Sequence, residues 1–137
     1  MMVIDASSLA KYLLNEKGWK AVRSLIEDRS PLYSVDLIVK EVSSVIWKCC
    51  KVTRVIGEAQ AELLFEALME LVNEGVVVLE PETRYIERAF MISLTENIAV
   101  YDSLYIALAE KLGELVTSDK MQANVAEKYG VNPFLIQ

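Results

Sequence analysis

The sequence predicts an α/β protein, a three-layer α/β/α sandwich around a mostly parallel sheet, and three observations carry that prediction. Short apolar segments suited to strands alternate along the chain with segments of helical periodicity. The stretches between those strands are long enough to hold helices, as crossover connections between parallel neighbours require. Finally, 53% of the 137 residues are hydrophobic, enough for a single domain spanning 1–137 to close its own core without disulfides or structural metals.

The elements follow in order. A first strand, Met2–Ile4, leads to helical patterns over Ser8–Asn15 and Trp19–Asp28. Leu32–Val35 reads as the second strand, and Asp36 as the N-cap of a helix over Leu37–Lys51, with Ile38, Val42, Val45, Ile46 and Cys49 on its inner face and Glu41 at that face's border. A longer helix over Glu58–Asn73 stops at Gly75, and Val76–Leu79 forms a third strand closed by Pro81. Thr83–Glu96 is helical, Ile98–Tyr101 leads into an almost wholly apolar helix, Ser103–Leu112, and Gly113 ends it. Leu115–Thr117 is a fourth strand, Lys120–Tyr129 a helix stopped by Gly130, and Phe134–Ile136 a last short strand.

Composition removes several classes of chemistry. There is no histidine, so no His-based acid–base catalysis, triad or metal ligand is available and any catalysis rests on carboxylates. Cys49 and Cys50 are adjacent and lack a spaced second pair, which excludes a disulfide framework and a zinc ribbon and suits a reducing, cytoplasmic compartment. No apolar run approaches the roughly 18 residues of a membrane span, and Asp5 interrupts the opening apolar run before it resembles an export signal. The net charge of −6 is opposite in sign to that of a typical nucleic-acid binder, so a nucleic-acid reading must find its positive charge locally.

The carboxylates carry the functional signal. Asp5 and Asp119 each end an apolar strand, and Asp102 opens the buried helix, so all three are expected where strand gives way to helix, the rim at which open α/β sheets bind ligands. One aspartate before a helix is ordinarily an N-cap, so the set matters and not any member. Asp102 precedes Ser103-Leu104-Tyr105-Ile106-Ala107-Leu108-Ala109, a run that places its charge at the edge of the core, where an unpaired charge is costly. Glu41 has no cation at its i±3 or i±4 positions. Carboxylates gathered without cationic side chains repel one another unless a hard cation joins them, and Mg2+ or Mn2+ prefers such oxygen ligands.

The blocks around these acids resemble the PIN-domain ribonucleases, in particular the toxin component of VapBC-type toxin–antitoxin pairs. Val3-Ile4-Asp5-Ala6-Ser7 is similar to the family's first strand and first acid, and Val39-Lys40-Glu41-Val42 to the acid on its early helix. Tyr101-Asp102-Ser103-Leu104-Tyr105-Ile106-Ala107-Leu108-Ala109 resembles the block with the third acid, and Thr117-Ser118-Asp119-Lys120 the block with the fourth. The likeness covers nearly the whole chain. It departs where some relatives carry a further acid, since Met121, Gln122, Ala123 and Asn124 follow Asp119 here, which leaves one metal or two open. The resemblance implies a PIN-like fold, a homodimer, an antitoxin partner, and Mg2+- or Mn2+-dependent endonucleolytic hydrolysis of RNA leaving a 5′-phosphate. It implies catalytic roles for Asp5, Glu41, Asp102 and Asp119. Asp5 and Asp102 would be direct metal ligands, Asp119 a direct or water-mediated one, and Glu41 a water-positioning or second-metal group. A divalent ion suits that reaction by activating water and neutralising charge that grows on the phosphoryl oxygens.

Around this core, Ser7, Thr117 and Ser118 are either supporting hydroxyls or local caps. Lys40, Lys48, Lys51 and Arg54 fall within fifteen residues that hold one acid, Glu41, and with Lys11 and Lys120 they offer contacts to an RNA backbone. Glu58, Glu62, Glu66, Glu70 and Glu74 recur every fourth residue, either as a solvated stripe or as a surface that steers a basic partner such as an antitoxin tail. Trp19, Trp47, Tyr12, Tyr33, Tyr85 and Tyr105 suit core or homodimer contacts better than base stacking, and Trp47 suits an interface. Three other readings stay open at this point: a housekeeping RNA-processing PIN nuclease, a PIN-like scaffold that binds without cutting, and a phospho-acceptor receiver. The receiver would want acids paired near the first strand, where the sequence has Asp5 alone.

Overall fold

The computed structural model describes residues 1–137. Its strands are β1 (Met2–Ile4), β2 (Leu32–Val35), β3 (Val77–Glu80), β4 (Glu114–Thr117) and β5 (Asn132–Leu135). Its helices are α1 (Ala6–Leu13), α2 (Trp19–Arg29), α3 (Leu37–Lys51), α4 (Glu58–Asn73), α5 (Ile86–Glu96), α6 (Val100–Leu112) and α7 (Lys120–Lys128). The strands make one sheet in the order β3-β2-β1-β4-β5, and every pairing is parallel. Parallel strands need right-handed crossovers, so reversing the direction of travel across the sheet moves the helices to the other face. The chain runs outward from β1 through β2 to β3, then returns to lay β4 beside β1 and β5 outside it. Accordingly α1 to α4 contact one another on one side, and α5 to α7 on the other. The strand order reverses between β1 and β4, and a crevice opens at their carboxyl ends.

The core is one continuous apolar cluster. Its spine is α6, where every residue from Ser103 to Ala109 is buried and which covers β1, β2 and β4. A helix apolar on all sides belongs inside the protein. Gly113, at φ +106°, ends it in a left-handed turn that a side chain would disfavour. No helix is long and apolar enough to cross a membrane.

Several boundaries differ from the sequence expectation, each for a local reason. Helix α1 starts at Ala6 instead of Ser8, because the Asp5 side chain accepts from the Ser8 amide and opens the helix directly after β1. Asp36 caps nothing with its side chain; it accepts instead from the Glu82 amide at 2.9 Å and ties the start of α3 to a short 3-10 turn, Glu82–Arg84. That turn replaces the first residues of the helix expected over Thr83–Glu96. Asn97, left-handed at φ +57°, closes α5, and α6 begins at Val100. Asp102 therefore lies inside the first turn of α6 after a helix-to-helix turn, not at a strand-to-helix junction.

Leu108 is fully buried at the centre of α6. Leu108→Ala is expected to lower the unfolding free energy by about 2–5 kcal/mol, the range for truncating a well-packed leucine. Urea unfolding measures it, and a loss below about 1 kcal/mol would contradict the role of α6 as the spine.

Candidate active site

The crevice at the strand-order reversal is a cavity of about 890 Å3, and Asp5, Glu41, Asp102 and Asp119 all line it. Four elements deliver them: Asp5 leaves β1, Asp119 leaves β4, Asp102 sits on α6 and Glu41 on α3. Residues more than one hundred positions apart meet because β1 and β4 are hydrogen-bonded neighbours, with Ile4 opposite Val116.

Asp5 is the most enclosed of the four, at 2% exposure. One carboxylate oxygen accepts from the Ser8 amide at 3.0 Å and the other from the Thr117 hydroxyl at 2.6 Å, while the Ser7 hydroxyl lies 2.8 and 2.9 Å from the two. Thr117 Oγ1 in turn accepts from the Asp119 amide at 3.0 Å, so one hydroxyl joins the first acid to the backbone of the last. Asp119 caps α7, accepting from Met121 at 2.9 Å and Gln122 at 3.3 Å. The Ser118 amide donates to Ser7 at 3.0 Å, and Ser118 and Ser8 share a hydroxyl contact at 3.0 Å. Ser7 and Thr117 thus support a carboxylate, whereas Ser118 ties α1 to the end of β4. Both aspartates are the ordinary N-caps that their positions suggest, and both line the cavity as well.

Glu41 accepts from the Tyr105 hydroxyl at 2.6 Å. Asp102 differs from the others, because its half-buried carboxylate makes no hydrogen bond and no ion pair.

The electrostatics follow from that crowding. Burial pushes the Asp5 carboxyl up to about 6, against the hydrogen bonds from Thr117, Ser8 and Ser7, and nearby Asp119 adds to the rise. Burial also raises Asp102, with Asp119 and Glu41 adding repulsion. The Tyr105 phenol is raised first by burial and then by Glu41, which keeps it a proton donor. A run of like charges, Asp5 to Asp119 to Asp102 to Glu41, therefore follows the cavity wall without a cationic side chain bonded to any of them.

These donors suit a hard divalent cation in chemistry, being all oxygen and, in Asp102, holding a carboxylate with no other partner. They do not close on one point: no three acidic side chains stand together as a ready-made cage. Mg2+ commonly takes one or two carboxylates and completes its shell with waters and substrate phosphate oxygens, and this spacing fits that mode better than three direct carboxylates.

Of the expected backbone-binding residues, Lys11 and Lys40 line the cavity, and Lys40 pairs with Glu82 at 3.5 Å. Lys48, Lys51, Arg54 and Lys120 do not line it, and Lys51 pairs with Glu58 at the start of α4. Among the polar residues that line the cavity, Glu16, Ser44, Glu82, Tyr101, Tyr105 and Gln122 were not expected there from the sequence. Tyr105 had a usable signal, since it stands three positions after Asp102 on the same helix and so shares its face. Glu16, in the turn after α1, had none.

The chain also resembles known proteins. The family model described as PIN domain matches residues 2–128. Ribonuclease VapC3 of Pyrobaculum aerophilum is 29% identical to it over 129 residues, covering 93% of this chain and 94% of that protein.

The Asp5 shift predicts a pH dependence in the metal-free protein. The folded chain keeps this proton up to about pH 6, whereas an unshifted aspartate releases it near 3.8. Between those values the folded state binds more protons, so the Asp5 contribution to stability falls as pH rises and is flat above the window. Relative to Asp5→Asn, the natural chain in EDTA should lose roughly 3 kcal/mol of unfolding free energy across that window, from about 1.4 kcal/mol per unit. A difference that grows with pH in urea titrations would contradict the buried, proton-holding Asp5.

Proposed function

This chain belongs to the PIN-domain family, and from that premise we propose that it is a VapC-type endoribonuclease that hydrolyses RNA phosphodiesters with Mg2+, or Mn2+ in its place, in the cytoplasm. The observation that carries the reading is the meeting of Asp5, Glu41, Asp102 and Asp119 around one cavity whose rim also holds Lys11 and Lys40. An acidic protein can hold RNA there because the needed positive charge is local: two lysines and the cation's own charge.

The chain's own residues divide the work. Asp102, with no partner, and Asp5, held in place by Thr117, Ser8 and Ser7, are the carboxylates we assign to the ion. Asp119 is kept by its helix amides at the cavity wall, where it would reach the ion through water, and Glu41 would orient the attacking water. Lys40 and Lys11, which line the same cavity, are the cations we assign to the RNA phosphates. A bound divalent ion supplies water activation and charge neutralisation at the phosphoryl oxygens. The housekeeping, scaffold and receiver readings have no feature here that favours them over this one.

For partners, we assign a basic antitoxin segment to the groove between α3 and α4. Its wall includes the exposed rings of Trp47 and Phe65 over buried Ile46, and its rim carries Glu58, Glu62 and Glu66. An apolar floor with an acidic rim complements a cationic amphipathic segment. The exposed, uncharged stripe of Ile86, Phe90 and Leu94 on α5, with Met91 beside it, is the surface we assign to a second copy, since a two-fold dimer pairs one patch with itself.

Two measurements test these assignments. RNA incubated with the purified chain should be cut with Mg2+ or Mn2+ and left intact in EDTA. Asp5→Asn and Asp102→Asn should each lose more than the roughly 10–100-fold typical of residues that only support a ligand. Equal cutting by all three proteins would remove the site. Glu62→Lys with Glu66→Lys should weaken binding to a co-expressed antitoxin and flatten its salt dependence, without changing RNA cutting by the free protein. Unchanged affinity and salt slope would remove the groove as the antitoxin's seat.

A further inference from the structure

Tyr105 is 2% exposed, in the middle of the most apolar stretch of the chain, yet its hydroxyl reaches the cavity and meets a carboxylate of another helix. That hydroxyl donates to Glu41 Oε1 at 2.6 Å, and it is the side-chain bond that links α6 to α3 at the site. Asp102 stands one turn earlier on α6, so the same helix carries a carboxylate without a partner and the donor that holds a second one.

The other acids are held by donors close to their own strand ends. Asp5 has the Ser8 amide and the hydroxyls of Ser7 and Thr117, and Asp119 has two amides of α7. Glu41 has no such local support: it projects from the middle of a helix on a flexible three-torsion side chain, and its one bond is to Tyr105. Glu41 and Asp102 are close enough to repel each other. Without the phenol, no hydrogen bond or ion pair remains to fix the Glu41 carboxylate. A core position in α6 would be filled equally well by phenylalanine if packing were the only requirement, and the hydroxyl is what phenylalanine lacks.

We propose that Tyr105 is a positioning residue for RNA cleavage, holding Glu41 by its outer oxygen so that the other carboxylate oxygen faces the cavity at a fixed distance from Asp102. The inference rests on the nuclease reading given above. Because Tyr105 acts through Glu41, its removal has an effect only while Glu41 is present, and this separates positioning from packing. The ring of Tyr105 remains in Tyr105→Phe, so the core stays filled.

A double-mutant cycle tests it, with Tyr105→Phe, Glu41→Gln and the pair compared with the natural chain in steady-state RNA cleavage with Mg2+. Tyr105→Phe should lower kcat by about 10–100-fold, the usual loss when a supporting partner is removed, with KM for RNA nearly unchanged. In the Glu41→Gln background the same substitution should change neither constant. A readout in EDTA without RNA accompanies the cycle: the hydrogen-bonded phenol proton should give a downfield resonance in the natural chain that is absent in Tyr105→Phe and displaced in Glu41→Gln. Cleavage by Tyr105→Phe at the natural rate would overturn the positioning role, as would an equal loss in both backgrounds or a phenol resonance indifferent to Glu41. Failure of the natural chain itself to cut RNA with either metal would instead overturn the nuclease reading, and the positioning role with it.

Discussion

Mutual repulsion among four carboxylates at one rim of the sheet is the constraint on which the rest of this structure turns. Asp5, Asp119, Asp102 and Glu41 line one cavity, and no lysine or arginine is bonded to them. Left alone, such a group either takes up protons or moves apart. The surrounding structure opposes both outcomes by local means. Three donors hold Asp5, two amides hold Asp119 and one phenol holds Glu41. Asp102 alone is left without a partner, half-buried in the first turn of a helix whose next seven residues are buried. Burial is the main cause of the raised proton affinities of Asp5 and Asp102, and repulsion from Asp119, joined at Asp102 by Glu41, adds to it. Buried and crowded carboxylates of this kind would gain from a divalent ion, whose charge offsets both effects.

The distribution of charge over the molecule extends the same logic outward. The chain carries an excess of acid, with a net charge of −6, and two groups of its acids stand apart. One set faces the cavity, beside Lys11 and Lys40. The other forms a ladder along α4, where Glu58, Glu62 and Glu66 border a groove floored by aromatic and aliphatic side chains. Helix α3 separates the two: Glu41 points into the cavity, while Trp47 and Lys51 face the groove. A residue seven positions along a helix returns to nearly the same side, so Lys40 and Trp47 mark the cavity and groove ends of one exposed surface. An occupant of the groove therefore lies one helix away from the scissile position, a geometry by which a partner could restrain the enzyme without entering its cavity.

Much of this was legible in the letters, and where it failed the reason is local. The fold class and the strand count follow from apolar periodicity, the positions of Asp5 and Asp119 from the strand ends they follow, and the grouping of Glu41 and Asp102 with them from the resemblance to the PIN family. Helix ends were harder. Asp36 has the residue type of an N-cap, but the amide of Glu82, 46 positions away in sequence, competes successfully for its carboxylate. The first turn of α6 was hidden because Ile98–Tyr101 has strand-like apolar character, while the left-handed Asn97 that ends α5 lets the next helix begin almost at once. Tyr105 was read as a core or interface aromatic, since burial is the usual fate of a tyrosine in an apolar run. The tertiary fact that Glu41 lies opposite its hydroxyl has no counterpart in the local pattern. Lys48, Lys51 and Arg54 illustrate the reverse error: proximity in sequence to Lys40 did not place them at the cavity, because α3 carries Lys48 and Lys51 roughly 1.5 Å farther along its axis with each residue and Arg54 lies beyond its end.

The central claim is that Asp5 and Asp102 hold one hard cation between them. Anomalous diffraction from crystals of the natural chain soaked in Mn2+ tests it most directly. The account predicts a single strong peak in the cavity, about 2.0–2.2 Å from a carboxylate oxygen of each aspartate, the usual range for a small divalent ion on oxygen. A well-diffracting crystal with Mn2+ bound elsewhere, or with the cavity empty at saturating metal, would contradict it.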